Sequence, residues 1–545
     1  MLSEYKAKTY KKKPEISDLC ACAPYTGKGV IIDSRVWQGA SMSELNTLDE
    51  NNIFPSLDVA DRDHVVLVDV GQLEKKDKIC PYPSTYCDKW DDKHVRMPCS
   101  PQNLYPMDDG MGGKKIKDRW ELIRSSLSKP ITSAEDLRIA ITSYNSRYAN
   151  KWNFKALTAF FAQSSPAERK LILRDILPNM VQLALDLPNI CTQPPPLLAQ
   201  GRTRSITLSQ KQMSSLLANA FFCTFPRRNT QRKQSEYSNY PDINFVHLFQ
   251  SSSSRSLSRQ TEKLKCIFHY FYRVTEREPS GCVTFHRRSL DAFPDWATSR
   301  RRLTKLRTSS RGTIEDDGTG MLQVDFANEL IGGGVLGQGC VQEEIRFVIC
   351  PELIVSRLFT EVIRDDECVV ITGCERFSRY KGYADDFVWD GNFVDKTSSD
   401  RWHRRLNQLV AIDATHFKQS KEQFREKWLR RETNKAYCGF FDRSNGGGSA
   451  AAAVATGNWG CGVYRGDPHL KLLLQLMAAA ECNRDVAYFT FGNSKLCREM
   501  FEMYEFLVGK GVTVGNLWNL LVLYEELVKC ETTDKQLAPF LYENV

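Results

Sequence analysis

The sequence predicts an α/β protein in which strands and helices alternate in the second half, after a helical region. From residue 281 to 545, runs of β-branched and aromatic residues lie between amphipathic helical patterns, which is typical of a layered α/β structure. From 114 to 280, apolar residues recur at helical spacing. Residues 1–113 are rich in Pro, Asp and Gly and predict an extended, largely irregular segment. These three ranges are the predicted domains.

The N-terminal segment contains one short strand pattern, "HVVLVDV". Its start, "MLSEYKAKTYKKKPE", is basic but lacks the apolar region of a secretory signal peptide. No window of the chain approaches eighteen consecutive apolar residues. We therefore expect neither secretion nor a membrane span.

Three segments of the helical region carry helix signals. "TSAEDLRIAITSY" begins with a capping box from Thr132 to Glu135 and continues with apolar residues at helical spacing. "SPAERKLILRDIL" has Ser165 as N-cap, Pro166 at the first position and Glu168 at the third. "SQKQMSSLLANAFFC" predicts a further helix. We expect an all-helical region with "CTQPPPLLAQGRTRS" as a connector, followed by a serine-rich loop, "FQSSSSRSLSRQ".

Six strands and five helices are predicted in the α/β half. The strands are "CVTFHR", "MLQVDFAN", "EIRFVIC", "ECVVITGC", "NQLVAIDAT" and "DVAYFTFG". The helices are "DRWHRRLNQ", "KEQFREKWLRRE", "HLKLLLQLMAAAE", "SKLCREMFEMYEFLVGKG" and "NLWNLLVLYEELVKC". The tract "NGGGSAAAAVA" predicts a flexible surface loop by composition.

Charge and cysteine usage limit the class of function. Lys and Arg number 74 against 66 for Asp and Glu, a net charge of +8. The excess is concentrated from Arg300 to Arg311, where six basic residues predict either a solvated loop or a surface for a polyanion. Eighteen cysteines without a C-x-x-C pair, and eight histidines without H-E-x-x-H, predict a reducing compartment and no zinc site.

The stretch "LQVDFANELIGGGVLGQGCVQEEIRF" places a triple glycine shortly before two adjacent acids, Glu343 and Glu344. On a strand or on a helix, neighbouring side chains diverge, so the two carboxylates cannot flank one bond as an ordinary glycosidase pair does. We therefore expect one acid to align substrate and the other to transfer a proton. A nearby diphosphate would raise a carboxyl pKa by like-charge repulsion, which suits a general acid. The alternative is a strand edge with two solvated acids.

A second stretch, "TGNWGCGVYRGDPHLKLLLQL", places Gly457, Gly460, Gly462 and Gly466 before a helix. A glycine-rich loop that leads into a helix N-terminus presents backbone N–H groups and suits a diphosphate. A flexible helix-entry loop is the alternative. A third stretch, "RYKGYADDF", predicts an aromatic and polar loop that could meet the same ligand.

The first stretch also matches G-x-G-x-x-G at residues 332–337. The residues that follow are strand-like rather than an Ala-rich helix, and no clean strand-ending acid lies about twenty residues on, which disfavours a dinucleotide site. The chain contains no G-x-x-x-x-G-K-[ST] motif, which excludes a P-loop.

The triple glycine, seven further residues and then "QEE" resemble the signature of the poly(ADP-ribose) glycohydrolase family, GGG-x(6–8)-QEE. The stretches "GTIEDDGTGMLQVDFANELIGGG", "RYKGYADDF", "ATGNWGCGVYRGD" and "DVAYFTFG" resemble the animal-type members of that family in the same order, over residues 281–492. The resemblance implies a macrodomain, a mixed sheet between helices, preceded by a helical accessory domain. The family's long N-terminal regulatory region is expected to be abbreviated.

The resemblance also implies an activity and a site. The reaction would be hydrolysis of ribose–ribose O-glycosidic bonds, mostly from the polymer end, releasing ADP-ribose without a cofactor. Glu344 would be the acid/base and Glu343 its partner at the terminal ribose, with Asp325 and Asn328 supporting the ribose and the loop. The other implied contacts are Ile314, Glu315 and Gln342 near adenine, Tyr383 near phosphate and adenine, Asn458, Tyr464 and Phe491 packed on the ligand, Gly332, Gly333 and Gly334 in the loop, and Gly460, Cys461 and Gly462 around the diphosphate.

Partners and alternatives follow from the same resemblance. It implies poly(ADP-ribose) and ADP-ribosylated proteins as partners, ADP-ribose as product, a role in the DNA damage response, a nuclear or cytoplasmic location and a monomer. A non-catalytic ADP-ribose reader is the first alternative, because it needs the phosphate cradle but not the acid. A basic nucleic-acid-binding protein is the second. It is disfavoured, together with sequence-specific nucleic-acid binding, because the chain has no recognised nucleic-acid module.

Overall fold

A computed structural model describes residues 36–48, 55–57, 62–76, 78–108, 114–230, 232–442, 451–529 and 536–545. A mixed sheet of ten strands is the centre of this part of the chain. Its strands, in chain order, are β1 Trp37–Gly39, β2 His64–Val66, β5 Arg204–Ser209, β6 Cys282–Ser289, β7 Leu306–Ser309, β8 Leu322–Ala327, β9 Glu367–Gly373, β12 Arg405–Asp413, β13 Val454–Gly457 and β14 Val486–Phe489. Two hairpins lie outside it, β3 Leu104–Asp108 with β4 Lys114–Asp118, and β10 Ser378–Lys381 with β11 Val388–Asn392.

Helices cover both faces of this sheet. The helices of the N-terminal and helical regions are α1 Val70–Lys76, α2 Arg119–Leu127, α3 Ala134–Ser143, α4 Lys155–Gln163, α5 Pro166–Leu171, α6 Leu177–Leu185, α7 Leu187–Ile190, α8 Gln210–Phe221, α9 Val246–Phe249 and α10 Ser254–Glu276. Those of the α/β half are α11 Ile314–Asp317, α12 Gln342–Ile349, α13 Ser356–Phe359, α14 Glu426–Phe440, α15 Pro468–Glu481, α16 Ser494–Gly509, α17 Val514–Lys529 and α18 Leu537–Asn544. No helix among the described residues has an apolar stretch sufficient to cross a bilayer.

The strand order is β1-β7-β14-β13-β8-β12-β9-β6-β5-β2. The five strands β7, β14, β13, β8 and β12 run parallel to their neighbours within that group, whereas β9 and β6 pair antiparallel. The carboxyl ends of the five parallel strands therefore share one edge of the sheet, which is where open α/β sheets bind ligands. The predicted α/β class, a mixed sheet between helices with a helical region before it, is confirmed.

Most of the predicted elements are present. The strand patterns at β2, β6, β8, β9, β12 and β14 form strands, and four of the five predicted helices form α14 to α17, with a 3₁₀ turn at Ser420–Phe424 before α14. Ser165, Pro166 and Glu168 form the predicted capping box of α5, with the Glu168 N–H donating to Ser165 Oγ at 3.2 Å.

The run "EEIRFVIC" was predicted as a strand, and that prediction is wrong because residues 342–349 form α12. The Glu344 carboxylate accepts from the Val341 N–H at 2.8 Å, which caps the first turn. Ile345, Val348 and Ile349 are buried along the helix. Short apolar runs do not separate helix from strand by pattern alone, so tertiary contacts decide. One argument against a dinucleotide fingerprint, the absence of a following helix, is therefore wrong as well.

Three further predictions are corrected by the structure. "DRWHRRLNQ" is a turn leading into β12, because Asp400 accepts hydrogen bonds from the Arg404 backbone and guanidinium at 2.8 Å and so closes a turn. The serine-rich "FQSSSSRSLSRQ" is not a loop, because Ser253 caps the 23-residue helix α10 by accepting from the Ser256 N–H. The N-cap of α3 is Ser133 rather than Thr132.

The expected all-helical composition of residues 114–280 is also wrong in part. Strand β5 pairs antiparallel with β6 over six residues and so belongs to the central sheet. One hydrophobic cluster joins helical residues such as Phe221 and Phe268 to sheet residues such as Phe285 and Ile371. The division at 280/281 stays a prediction about independent folding.

The tract "NGGGSAAAAVA" was predicted as a surface loop. Its first six residues lie outside the described part of the chain. Ala451, Ala452 and Ala453 are buried, and Val454 begins β13, so the second half of that prediction is wrong. Small side chains are accommodated here because β13 lies between β14 and β8 in the sheet interior.

Candidate active site

The three stretches with candidate chemistry meet at the carboxyl edge of the parallel strands. β8 ends at Ala327 and leads through the triple glycine to α12, while β13 ends at Gly457 and leads through the second glycine-rich segment to α15. Asn328 joins them, because its side-chain amide donates to the Tyr464 hydroxyl at 2.8 Å. The third stretch joins through Ala384, next to Tyr383, because the Ala384 N–H donates to the Cys340 carbonyl at 3.0 Å.

The paired glutamates are held by backbone N–H groups. Glu343 accepts from Asn328 at 3.0 Å and from Gly332 at 2.5 Å, one through each carboxylate oxygen. Glu344 accepts from Gly334 and Val341, both at 2.8 Å. Both acids lie in the first turn of α12, where the helix dipole favours negative charge. The two carboxylates thus accept from adjacent parts of one loop. Oxygens of both lie within 2.7 Å of the position that a Cβ on Gly333 would take, so the divergence expected for the two side chains does not keep their carboxylates apart.

The glycines leave room for those carboxylates. Gly333 has φ of +45°, and a Cβ there would lie 2.6 Å from Glu344 Oε1 and 2.7 Å from Glu343 Oε2. A Cβ on Gly339 would lie 2.5 Å from Glu344 Oε1. Any side chain at these two positions would displace an acid. The lack of a side chain at these glycines therefore leaves space for the two carboxylates.

A third acid, Asp325, lies under the pair. It is fully buried on β8, and neither carboxylate oxygen has a hydrogen-bond partner among the described residues. Burial raises the pKa of Asp325 well above its usual range; the nearby Arg346 opposes this shift and Glu344 adds to it. Burial, followed by the Asp325 and Glu344 charges, also raises the pKa of Glu343. Burial therefore favours the protonated form of the Asp325 carboxyl.

Gln342 is bound to β8. Its side-chain oxygen accepts from the Phe326 N–H at 2.8 Å, and its amide donates to the Val324 carbonyl at 3.2 Å. In this structure it fixes α12 against the strand. Its predicted place near adenine stays a prediction.

The second glycine-rich segment offers backbone donors. The N–H groups of Gly460, Gly462 and Val463 have no acceptor among the described residues. A Cβ on Gly462 would meet nothing within 4 Å, whereas one on Gly460 would lie 2.6 Å from Ala414 Cβ. The N-terminus of α15 is different from the prediction, because the Asp467 carboxylate already caps it through the Leu470 N–H at 2.9 Å. The candidate diphosphate cradle is thus the loop rather than the helix end.

Side chains next to this segment are held by hydrogen bonds. Trp459 is fully buried and donates to the Ile412 carbonyl at 3.0 Å. Asn458 is held by the Tyr488 hydroxyl at 3.1 Å, and the Cys461 thiol contacts the Trp459 carbonyl at 3.5 Å. Burial raises the pKa of Cys461 to about 12, so this cysteine is a thiol rather than a nucleophilic thiolate.

Exposed aromatic side chains flank the two loops. Phe491 follows β14, is 43% exposed and has φ of +49°, an uncommon conformation for a bulky residue. Its ring lies 6.5 Å from that of Phe326 in a T-shaped arrangement. Tyr383 is 54% exposed. Aromatic faces exposed beside donors for phosphate suit a nucleotide base or ribose.

Of the residues predicted near adenine, Ile314 is buried and Glu315 is partly exposed. Ile314 is buried in a small apolar cluster with Ala455 and Phe489, so it supports the site from below. Glu315 accepts a hydrogen bond from the Tyr380 hydroxyl. Tyr380 is not among the residues predicted for the site, although it stands three positions before Tyr383 in "RYKGYADDF".

A separate cavity of about 910 Å³ lies between the N-terminal segment and the helical region, and none of the predicted site residues lines it. Its lining includes the buried Arg119, whose guanidinium donates to the Thr224 carbonyl at 2.6 Å and to the Asn145 side chain at 2.9 Å. These bonds fix the ends of neighbouring segments, and we assign the cavity no ligand.

The fold and the site define a macrodomain-type hydrolase with a glycine-bound glutamate pair. The family model for the poly(ADP-ribose) glycohydrolase macrodomain fold matches residues 293–498, and the model for the helical domain of the same family matches residues 164–287. The chain belongs to the poly(ADP-ribose) glycohydrolase family. The resemblance stated from the sequence is thereby confirmed.

Curated relatives agree with that assignment. Poly(ADP-ribose) glycohydrolase 1 of Arabidopsis thaliana is 36% identical over 396 residues, which cover 60% of this chain and 71% of the relative. Probable poly(ADP-ribose) glycohydrolase 2 of the same plant is 33% identical, covering 74% and 85%. Poly(ADP-ribose) glycohydrolase 2 of Caenorhabditis elegans is 30% identical, covering 71% and 78%.

Proposed function

We propose that this chain hydrolyses the ribose–ribose O-glycosidic bonds of poly(ADP-ribose) and releases ADP-ribose, mostly from the polymer end. One observation carries the proposal, namely the Glu343 and Glu344 carboxylates bound to the N–H groups of the triple-glycine loop. Membership of the family supports it. Poly(ADP-ribose) and ADP-ribosylated proteins are the proposed partners, and the nucleus or cytoplasm is the proposed location.

Glu344 is the proposed general acid and base. It is the less buried of the two glutamates, 6% exposed against 2% for Glu343. In its protonated form it donates to the leaving ribose oxygen as the C–O bond breaks and the anomeric carbon becomes oxocarbenium-like. As a carboxylate it then takes a proton from the attacking water, so the cycle ends with Glu344 protonated again.

Glu343 is the proposed partner that orients the terminal ribose. Because both glutamates emerge from one helical turn, neither can lie across the scissile bond from the other, as in a two-carboxylate glycosidase. The negative charge of the substrate's diphosphate then stabilises the developing cation. Asp325, whose pKa is raised by burial, supports the pair from below.

The proposed ligand position follows the donors and rings. The diphosphate lies on the loop at 460–463, and Phe491 and Tyr383 contact the adenosine side. Asn328 and Tyr464 together hold the ribose end. A reader that binds ADP-ribose without cleaving it is the second candidate, because it would use the same cradle.

Incubation with purified polymer tests the proposal. Wild-type protein should release ADP-ribose, detected by chromatography, and an excess of monomer over oligomers at early times would support cleavage from the end. The matched control is Glu344→Gln, which keeps the shape of the site. Binding of ADP-ribose without release of product from polymer would favour the reader instead.

A further inference from the structure

A buried lysine of the helical region holds the far side of the glycine loop. Lys263 lies on α10 and is fully buried. Its ammonium donates to the carbonyls of Val335 and Gly337 at 3.1 Å, to that of Gly334 at 3.3 Å, and to that of Gly339. Among the described residues no carboxylate forms an ion pair with it.

A second basic residue of α10 binds the same loop one helical turn earlier. Arg259 donates to the Gln338 carbonyl at 3.0 Å and to the Asp385 carboxylate at 2.8 Å. Asp385 lies two residues after Tyr383, and the adjacent Ala384 N–H donates to the Cys340 carbonyl at 3.0 Å. Arg259 therefore links the glycine loop to the Tyr383 loop.

The N–H groups and the carbonyls of the glycine loop have different partners. Its N–H groups at Gly332 and Gly334 donate to the two glutamates, whereas its carbonyls at 334, 335, 337, 338 and 339 accept from Lys263 or Arg259 of α10. Arg357 of α13 completes the carbonyl side by donating to Ile331 at 2.7 Å and Gly333 at 3.0 Å. A carbonyl shares its peptide plane with the N–H of the next residue, so Arg357 fixes the Gly334 N–H through the Gly333 carbonyl. Lys263 holds the Gly334 and Gly339 carbonyls, whose peptide planes adjoin those of the Gly334 and Val341 N–H groups.

We propose that Lys263, assisted by Arg259, is a positioning residue for Glu344: it holds the loop carbonyls so that the Gly334 and Val341 N–H groups fix the Glu344 carboxylate. This inference rests on the proposed hydrolysis. It gives the helical region a direct role in the catalytic site, in addition to its packing against the sheet.

The choice of residue supports a role beyond packing. Lys263 shares its helix face with Ile267 and Tyr270, both buried, where an apolar side chain would avoid the cost of burying a charge. An ammonium is suited to several carbonyls converging from one loop, because it has three donors and no acceptor. The pKa of Lys263 is lowered to about 8, mainly by burial; Cys340 and Glu344 oppose this shift, and Arg259 and Arg357 add to it.

Three variants test the inference against the wild type on polymer. Lys263→Met should lower kcat on the order of 10²-fold, the usual effect of a misplaced catalytic group, with a smaller change in KM. Lys263→Arg should retain more activity than Lys263→Met because it keeps a donor and a charge. Lys265→Met is the matched control on the same helix, since Lys265 pairs with Glu262 and not with the loop. It should leave kcat unchanged.

A pH profile separates positioning from folding. Wild-type kcat should fall as pH rises through about 8, while Lys263→Arg should keep its activity to higher pH. The pKa of Lys263 in the folded chain, about 8, lies below that of an ordinary lysine, about 10.4. Between these two pH values the group therefore binds fewer protons in the folded chain than in the unfolded chain. In this pH range the contribution of Lys263 to the stability of the fold increases with pH, so a fall in turnover would not result from unfolding.

Each outcome decides something. Wild-type kcat and KM in Lys263→Met would overturn the inference, and no hydrolysis by wild type would instead overturn the proposed function. If Lys263→Met does not fold, Arg259→Gln replaces it, because Arg259 is partly exposed. A fall in kcat of about tenfold in Arg259→Gln, with an unchanged melting temperature, would support the inference; unchanged kcat would overturn it.

Discussion

The side-chain amide of Asn328 donates to the hydroxyl of Tyr464 at 2.8 Å. The backbone N–H of the same Asn328 donates to Glu343 at 3.0 Å. One residue at the end of β8 thus ties the glutamate pair to the second glycine-rich segment. The two halves of the candidate site are coupled through this residue, although they are more than a hundred positions apart in the chain.

Removal of the Tyr464 hydroxyl should loosen that coupling. We expect Tyr464→Phe to weaken ADP-ribose binding about threefold to tenfold, because one buried hydrogen bond contributes on the order of 1 kcal/mol. Calorimetric titration of the folded variant measures this. Tyr504→Phe is a matched control, since Tyr504 donates to Thr304 and has no contact with the site. Equal affinities for the two variants would argue against the coupling.

Substitution of each glutamate should separate catalysis from positioning. Glu344→Gln should reduce turnover by about 10²–10⁴-fold while ADP-ribose still binds, because the amide cannot cycle a proton. Glu343→Gln should lose turnover and ADP-ribose affinity together, since Glu343 orients the ribose. Turnover on polymer and affinity by calorimetry distinguish the two. Near wild-type turnover in Glu344→Gln would refute the proposed mechanism.

A side chain introduced at Gly462 tests whether this loop binds the diphosphate. Gly462 faces open space, so Gly462→Val should leave folding intact while it obstructs approach of the ligand to the backbone. We expect loss of ADP-ribose affinity without a change in melting temperature. Gly460→Val should also lose affinity but melt earlier, because its Cβ would meet Ala414. Gly509→Ala, also in open space, serves as the control, and unchanged affinity in Gly462→Val would remove this loop from the site.

The stability difference between Asp325→Asn and wild type should depend on pH. Burial raises the pKa of Asp325, so the folded chain retains a proton that the unfolded chain has lost above about pH 4. Wild-type stability from this group therefore falls as pH rises from about 4 toward the folded pKa. The neutral asparagine has no such loss. The melting temperature of the variant minus that of the wild type should therefore be more positive at pH 8 than at pH 5, and the same difference at both pH values would contradict a raised pKa for Asp325.

The isolated fragment 281–545 should be poorly soluble. Its sheet residues Phe285 and Ile371 share a hydrophobic cluster with Phe221 and Phe268 of the helical region. Removal of that region would expose the apolar face of the sheet and the edge of β6. Expression of the fragment beside the full chain, followed by size-exclusion chromatography, measures this. A soluble, fully active fragment would show that the helical region folds independently.

Local chemistry in the sequence was sufficient for much of the site. The triple glycine shortly before "QEE" marks one stretch as a candidate site, and the hydrogen bonds from Gly332 and Gly334 to the two glutamates lie within that stretch. Both partners of each bond lie within eleven residues, so the pattern is visible in one short stretch. The roles of the individual site residues stay predictions, to be decided by the variants above.

Other features depended on distant contacts. No local pattern indicates that Lys263 binds carbonyls more than seventy residues further along, although a lysine among apolar positions on α10 is a signal in retrospect. Tyr380 was missed because its partner, Glu315, belongs to another stretch. Such pairs form only when the sheet brings their elements together.

The sequence by itself determined the fold class, the capped helices, the clear strands and the chemical types at the site, because these depend on periodicity and on neighbours close in the chain. The tertiary structure decided that residues 342–349 form a helix, that β5 and β13 join the sheet, and that a buried lysine faces the glycine loop. Apolar runs satisfy either a helix or a strand, and a charge can be buried only where partners converge on it. In both cases the free energy that decides the outcome comes from contacts between distant segments.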